Sequence, residues 1–550
     1  MTGEKQEKKK PGITRRIFGW IWLGLLTLLI LGALIYDAPW KMLALLLIIL
    51  AAHTILPKAA IKWFWLSAAA VVIALIIWIF LPEANEGWRP YTLDEELAAL
   101  EAKYTLPDEE NAATIYNQLL EDYNEATFEP DFLDPNLEYL TRSEPWLSND
   151  YPQVAEWLKG HENTIAKLIE ASKFEKCRFP IVADIAAFGQ HIEILAPMRR
   201  WAFLLVSAAN NDIAEGRIKE GFQKNTALLQ MGKHMCQQQA TIDWLVGTAI
   251  EALGIIQLKT FVVTEDATEE YLSVIEKALT SIKCDWSSDF LKILESDKLS
   301  TKREFARRCY EINPKDEIRL SRDPWAKWRA HWKEQLENNK VDPQTKKALE
   351  SLVYLTYWQR KLLKAQTILL WFYLPSSPQK LDEILDTIYQ GYYEMAKPDF
   401  DWGKKPQELS ASRFKFRPNR YRTIALLVGI SEYYYYRTHE IYFRRQTEIR
   451  ASQLMIALRQ YKNLNGRWPE KLDEIKSFAD PNVFIDPISG NCFVYKLTEE
   501  NFTLYSKGKN NIDEDGRSDW PYRENGADDW LIWPPRGRKT QEEKTDDEQQ

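Results

Sequence analysis

The sequence predicts a mainly α protein made of transmembrane helices, a helical extracytoplasmic bundle and a small C-terminal α+β module. Three observations carry this expectation. Two apolar runs in the first 82 residues each approach the ~20 residues that cross a bilayer. From Thr92 to about residue 464 the apolar spacing is predominantly 3.6-periodic, as in amphipathic helices. From around residue 450 the texture changes to short alternating runs punctuated by Gly, Pro, Asn and Asp.

At a prior of about 150 residues per domain, 550 residues allow three or four domains, and 45% apolar side chains suffice for substantial cores. Disorder is excluded for most of the chain. The formal charge of −8 is uneven: residues 1–82 carry +6 and residues 83–550 carry −14. An acidic body lacks the clustered Lys and Arg that phosphate binding requires, so no nucleic-acid partner is expected. The five cysteines (Cys177, Cys236, Cys284, Cys309, Cys492) form no C-x-x-C pair. They write neither a zinc ribbon nor a thioredoxin-like site, and buried reduced thiols are expected. The 22 Trp residues fit sugar-stacking surfaces, membrane-interface belts or large helical cores.

The N-terminal region fixes the expected compartment. Ile17–Tyr36 is apolar for 20 residues and Trp63–Leu81 for 19. Met42–Leu56 is apolar for 15 residues, and starting at Pro39 with Lys41 snorkelling extends it to 18. Three spans place Lys5, Lys8, Lys9, Lys10, Arg15, Arg16, Lys58 and Lys62 on the cytoplasmic side. The first run is too long, and lacks the small-residue cleavage site, for a removable signal peptide. The lipid bilayer is therefore one partner, with a basic cytoplasmic tail over 1–16, three transmembrane helices over 17–82 and an exported body beyond. His53, near the end of the middle segment, reads as an interfacial histidine without a role.

The body over 83–420 reads as a non-repetitive helical domain. Thr92-Leu-Asp-Glu95 has the form of a capping box. Helical runs follow at Glu110–Tyr123, Pro152–Phe174, Asp184–Asn211, Ala214–Gln237, Ile242–Thr264, Thr268–Ile282, Gln344–Tyr373 and Gln379–Ala396. Catalytic spacing is absent: His161-Glu162 and His439-Glu440 lack the second histidine of a zinc helix, and Gly429-Ile-Ser431-Glu-Tyr433 lacks the final glycine of a nucleophile elbow. His191 and Glu193 are two apart on a helix and diverge. The run Tyr433–Tyr436 with Tyr442 and Phe443 reads as a buried helix rather than a stacking platform. No catalytic residue is nominated.

Residues 421–535 read as a module with a long helix through Lys462, a Gly466 cap, a short helix at Glu470–Ser477 and a turn at Asp486–Gly490. Strands follow at Cys492–Leu497 and Phe502–Ser506, then a polar loop at Gly508–Gly516 and an edge strand at Trp530–Trp533. Residues 536–550 are a charged tail expected to be disordered.

The string Ala457-Leu-Arg-Gln-Tyr461-Lys-Asn-Leu-Asn465-Gly466-Arg-Trp-Pro469 begins a pattern that continues through Asp486-Pro487, Gly490, Phe493-Val-Tyr495, Phe502-Thr-Leu-Tyr505-Ser506-Lys-Gly508, Asn511-Ile-Asp513-Glu-Asp515-Gly516 and Asp528-Asp529-Trp530. In that order it resembles the C-terminal globular part of major pseudopilins of type II secretion, over about 80 of the 550 residues. A similar tail ends planctomycete-type multi-helical membrane proteins, whose body is similar at Cys177-Arg-Phe-Pro180 and Trp244–Leu253. The resemblance implies a long helix on a small antiparallel sheet and a calcium loop. The chain departs from a pseudopilin in placing its spans some 370 residues upstream, so processing and polymerisation are not implied.

Independently of any family, Asn511-x-Asp513-x-Asp515-Gly516 sets three oxygen-bearing side chains at alternate positions before a turn glycine, with Asp519, Asp528 and Asp529 available to complete a shell. Tyr522 stands where an EF-hand has Glu, so the helix-loop-helix form is not expected. Calcium is the expected cofactor; an Asp/Asn-rich turn without an ion is the alternative. Together these readings imply a protein of the bacterial inner membrane with its large domain facing the periplasm. Its expected role is binding or structural, engaging another envelope protein, with secretion as the context. The alternative is a membrane-tethered hydrolase acting on polysaccharide or peptidoglycan through paired carboxylates.

Overall fold

A computed structural model describes residues 87–181 (131 excepted), 188–264, 267–282, 285–321, 377–397, 399–400, 432–518 and 526–535, with isolated positions between 333 and 375. The expected membrane spans with His53, the helix Gln344–Tyr373, Asp519, the 536–550 tail and the side chains of His191 and Glu193 lie outside the described residues.

The protein is mainly helical, as expected. In chain order the elements are β1 (Arg89–Pro90), α1 (Asp94–Tyr104), α2 (Ala113–Glu121), α3 (Glu125–Phe128), α4 (Pro135–Ser143), α5 (Pro152–Gly160) and α6 (Glu162–Ala171). Then come α7 (Phe188–Ala214), α8 (Ile218–Cys236), α9 (Thr241–Thr264), α10 (Glu269–Thr280) and α11 (Trp286–Cys309). They are followed by β2 (Tyr310–Ile312), β3 (Ile318–Leu320), α12 (Pro378–Met395), α13 (Glu432–Asn465), β4 (Val494–Leu497), β5 (Phe502–Ser506) and β6 (Trp530–Trp533). The chain forms two compact units, one of Met1–Asp94, Asp184–Ala186 and Lys298–Glu432, the other of Glu95–Ala183, Ala187–Asp297 and Tyr433–Gln550.

In the first unit β1, β2 and β3 form an antiparallel sheet in that order, with Tyr310 opposite Leu320 and Arg89 opposite Ile312. The Ser377 hydroxyl and Pro378 at the first turn start α12, as their chemistry favours. Lys302 of α11 pairs with Asp382 of α12 at 2.9 Å, and Thr301 meets the Tyr389 hydroxyl at 3.1 Å.

In the second unit α8 lies between α7 and α9. Its contact with α9 is close because Gly232 and Gly247 face each other. A Cβ on Gly232 would stand 2.8 Å from the Gly247 carbonyl, and one on Gly247 would stand 2.7 Å from that of Gly232. Helix α9 is long and apolar enough over Thr241–Val263 to cross a membrane, but 72% of its 18-residue apolar window is buried, and packing accounts for its apolarity. One core joins α2, α5, α6, α7 and part of α8 around Tyr116, Trp201 and Leu168. A second runs from Leu258, Phe261 and Leu272 of α9 and α10, through Leu454 and Leu458 of α13, to Phe502, Leu504 and Trp533 of the C-terminal sheet. Sheet and helical body therefore share one core.

The expected helix Pro152–Phe174 is two helices broken at His161, where Gly160 ends the first. The expected capping box at Thr92 is replaced by a helix that starts at Asp94, with the Thr92 hydroxyl donating to the Asp94 carboxylate at 2.6 Å. Helix α11 and strands β1 to β3 were not expected, because α11 carries charges through most of its turns and the strands are two or three residues long. Cys177, Cys236 and Cys309 are buried free thiols; Cys492 is free and exposed.

Candidate functional site

The C-terminal module folds locally much as its turn residues dictate. Gly466 ends α13 at φ 71°, and Gly490 closes the Asp486 turn at φ 71° with its N–H on the Asp486 carbonyl, 2.9 Å away. Strands β4, β5 and β6 are antiparallel in that order. Asp486, fully buried, accepts from the hydroxyls of Thr447 (2.9 Å) and Ser506 (2.6 Å), tying turn, helix and sheet together.

The predicted cation ligands separate into two groups. Asp513 accepts the Tyr505 hydroxyl at 2.6 Å, which lowers its pKa, and Lys496 lies 3.8 Å from it and 2.5 Å from Asp515. Asn511, at φ 61°, turns its amide to the Ser489 carbonyl at 3.4 Å. Asp528 and Asp529 instead hold the loop from the far side. Asp528 Oδ2 accepts from the N–H groups of Lys509 and Asn510 (2.9 and 3.2 Å), and Asp529 Oδ2 from those of Glu514 and Gly516 (2.9 and 2.8 Å). Glu514, which the spacing did not single out, joins this second group through Asn510 (2.7 Å) and the Asp528 N–H (3.4 Å). Burial raises Asp528, and burial together with Glu514 lifts Asp529 to about 6. Asp528 Oδ1 is buried without a hydrogen-bond partner, against Gly508, where a Cβ would stand 2.2 Å from it. That orphaned oxygen fits a hard cation. Among the described residues no three His, Cys, Asp or Glu side chains are gathered in a metal-binding arrangement.

A second polar site lies inside the helical body. The extended segment 177–181 is held by side chains rather than by a sheet. Asn111 accepts from the Arg178 N–H (2.7 Å) and donates to its carbonyl (3.0 Å). Gln238 accepts from Phe179 N (3.0 Å) and donates to the Cys177 carbonyl (2.9 Å), and Gln237 accepts from Cys177 N (2.8 Å). Glu101 accepts from Ile181 N. Gln237 and Gln238 of the α8–α9 turn thus hold the segment on either side of Arg178. The Arg178 guanidinium lies over the Tyr104 ring at 5.3 Å; burial lowers its pKa, and Glu101 and Asp243 oppose that.

Several groups here have polar atoms that no neighbour satisfies. Arg178 (9% exposed) leaves Nε and Nη2 without partners, and Gln239 (3%) leaves both amide atoms. The Thr241 hydroxyl (5%) faces the Asp297 carboxylate. Asp297 of α11 stands beside Thr241 and accepts the Tyr435 hydroxyl at 3.1 Å. Its side chain keeps some exposure, yet the protein packed around its carboxyl raises the pKa to about 7. Tyr435 is buried, as expected for the tyrosine run, but its hydroxyl serves this site. Sequence reasoning missed Arg178, Gln239, Thr241 and Asp297; the triple Gln237–Gln239 between two apolar helices was the available signal.

His234 is a contrasting case, buried and fully partnered. Its Nε2 donates to the Phe174 carbonyl (2.9 Å), so Nδ1 accepts the Tyr116 hydroxyl (3.0 Å), and burial lowers its pKa to about 4. Comparison with protein-family models, curated proteins and solved structures returns no match to this chain.

Proposed function

We propose that this chain is a membrane-anchored binding or structural protein of the bacterial envelope, with its large domain in the periplasm and a pseudopilin-like module that serves a secretion-type assembly. The observation that carries this reading is the shared core. In a polymerising pilin the long helix must offer its apolar face to other subunits. Here α13 spends that face on its own chain, with Leu454 and Leu458 packed in the core that holds α9 and α10. Polar ties run alongside: Arg445 to Glu251 at 2.6 and 3.0 Å, Lys259 to Glu448 at 2.6 Å and to the Ile532 carbonyl at 3.1 Å, and Trp530 to Glu448 at 2.7 Å. Such a module acts as a fixed docking part of a larger body. Protease accessibility in spheroplasts tests the topology: the body should be cleaved from outside, and protection until lysis overturns the reading.

Calcium belongs to the same proposal, with Asp528 and Asp529 as its holders. There it would supply positive charge to an orphaned oxygen and to two carboxyl groups that burial pushes toward neutrality. In detergent micelles the full chain should melt higher with calcium than with chelator, by the equivalent of about 2.7 kcal/mol when calcium is 100-fold above Kd. Asp528→Asn should remove the shift; identical wild-type curves with and without chelator would refute calcium.

A further inference from the structure

We propose that the buried site at Arg178 binds a small molecule carrying a carboxylate beside an N–H group: an amino acid or the C-terminal end of a short peptide. Nε and Nη2 form one edge of the guanidinium, the fork that grips a carboxylate through two parallel bonds. Both are buried and unpartnered, while Asn111 holds the N–H and carbonyl of the same residue and Gln238 holds the Cys177 carbonyl and Phe179 N–H on either side of it. The fork is thus preorganised, and leaving it unfilled carries the desolvation cost of a buried cation.

The surroundings select against other anions. Glu101 and Asp243 act on the Arg178 guanidinium and offset its charge. A phosphate dianion would bring two negative charges into a buried place, whereas a zwitterionic amino acid brings none in sum and a peptide C-terminus only one. Gln239, beside Gln238 in the turn, offers a free amide oxygen and a free amide nitrogen. These complement an N–H donor and a carbonyl or carboxylate acceptor next to the anchored group. The residues used, Glu101, Arg178, Gln239, Asp243, Asp297 and Tyr435, all lie in the second unit.

The test is calorimetric titration and thermal melting of the full chain in detergent micelles. The probes are the twenty common amino acids taken singly, their alanyl dipeptides, acetate and methylamine. At least one amino acid or dipeptide should bind and raise the melting temperature, with acetate and methylamine far weaker; preference between the two sets identifies free amino acid or peptide end. Arg178→Lys, which keeps the charge and loses the fork, should weaken binding by at least about tenfold. Gln239→Leu removes an amide that has no partner, so the ligand-free protein should melt at the same or a higher temperature while binding is lost. Absence of binding by every probe, or wild-type affinity in Gln239→Leu and in a folded Arg178→Lys, overturns the proposal. The spheroplast result does not depend on this outcome.

Discussion

In the C-terminal loop each described carboxylate finds its donors within the same short module: Asp528 on Lys509 and Asn510, Asp529 on Glu514 and Gly516, Asp515 on Lys496. In the helical body the polar groups near Arg178 come from five segments spread between Glu101 and Tyr435, and several have no donor or acceptor at all. The loop satisfies charge locally, apart from the Asp528 Oδ1 that faces Gly508, and stands partly in water. The body holds polarity at long sequence separation in a dry place. Local satisfaction folds a turn, whereas distant unsatisfied polarity is a cost that a stable protein retains for a reason.

The largest effect should come from the link between the two regions. Glu251 and Arg445 are 0% and 3% exposed, and join α9 to α13. Arg445→Met leaves a buried unpaired carboxylate and should cost about 3–5 kcal/mol in urea unfolding, while adding Glu251→Leu should recover most of the loss. Because sheet and body share a core, Trp fluorescence and far-UV circular dichroism should report one transition in the single variant. Separate transitions would break the comparison by making the module an independent domain.

A middle-sized effect concerns pH. His234 is held neutral, with its folded pKa near 4 against 6.5 for a free imidazole. Between those values the unfolded chain binds the proton and the folded chain does not. The contribution is therefore complete above pH 6.5 and declines as pH falls toward 4, by about 3 kcal/mol. Urea midpoints at pH 7 and 4.5 measure it, and His234→Gln should flatten the slope.

The smallest effect belongs to the loop's exposed pair. Lys496 and Asp515 are 45% and 78% exposed, and water screens the attraction. Lys496→Ala should change stability by less than about 0.5 kcal/mol. A larger loss would mean that Lys496 holds the loop together more firmly than its exposure allows.

The sequence by itself determined what depends on near neighbours. Strand Phe502–Ser506 falls where the alternating texture placed it and Trp530–Trp533 where the last apolar piece did, and Gly466 and Gly490 adopt the left-handed conformation that their turns require. Helices α8 to α10 and α12 follow from apolar periodicity. Local readings failed where the deciding contact is remote. Helix α11 exists because Phe290, Ile293 and Leu294 are covered by other elements, although its own composition is polar. That Lys496 of β4 lies 3.8 Å from Asp513 and 2.5 Å from Asp515 was likewise not legible in the alternation of Asn511, Asp513 and Asp515. Arg178, Gln239, Thr241 and Asp297 carry no spacing signal, because helix packing gathers them across more than a hundred residues. Only the tertiary structure decided that they meet, since burial and the loss of water partners are properties of the packed core and not of any segment within it.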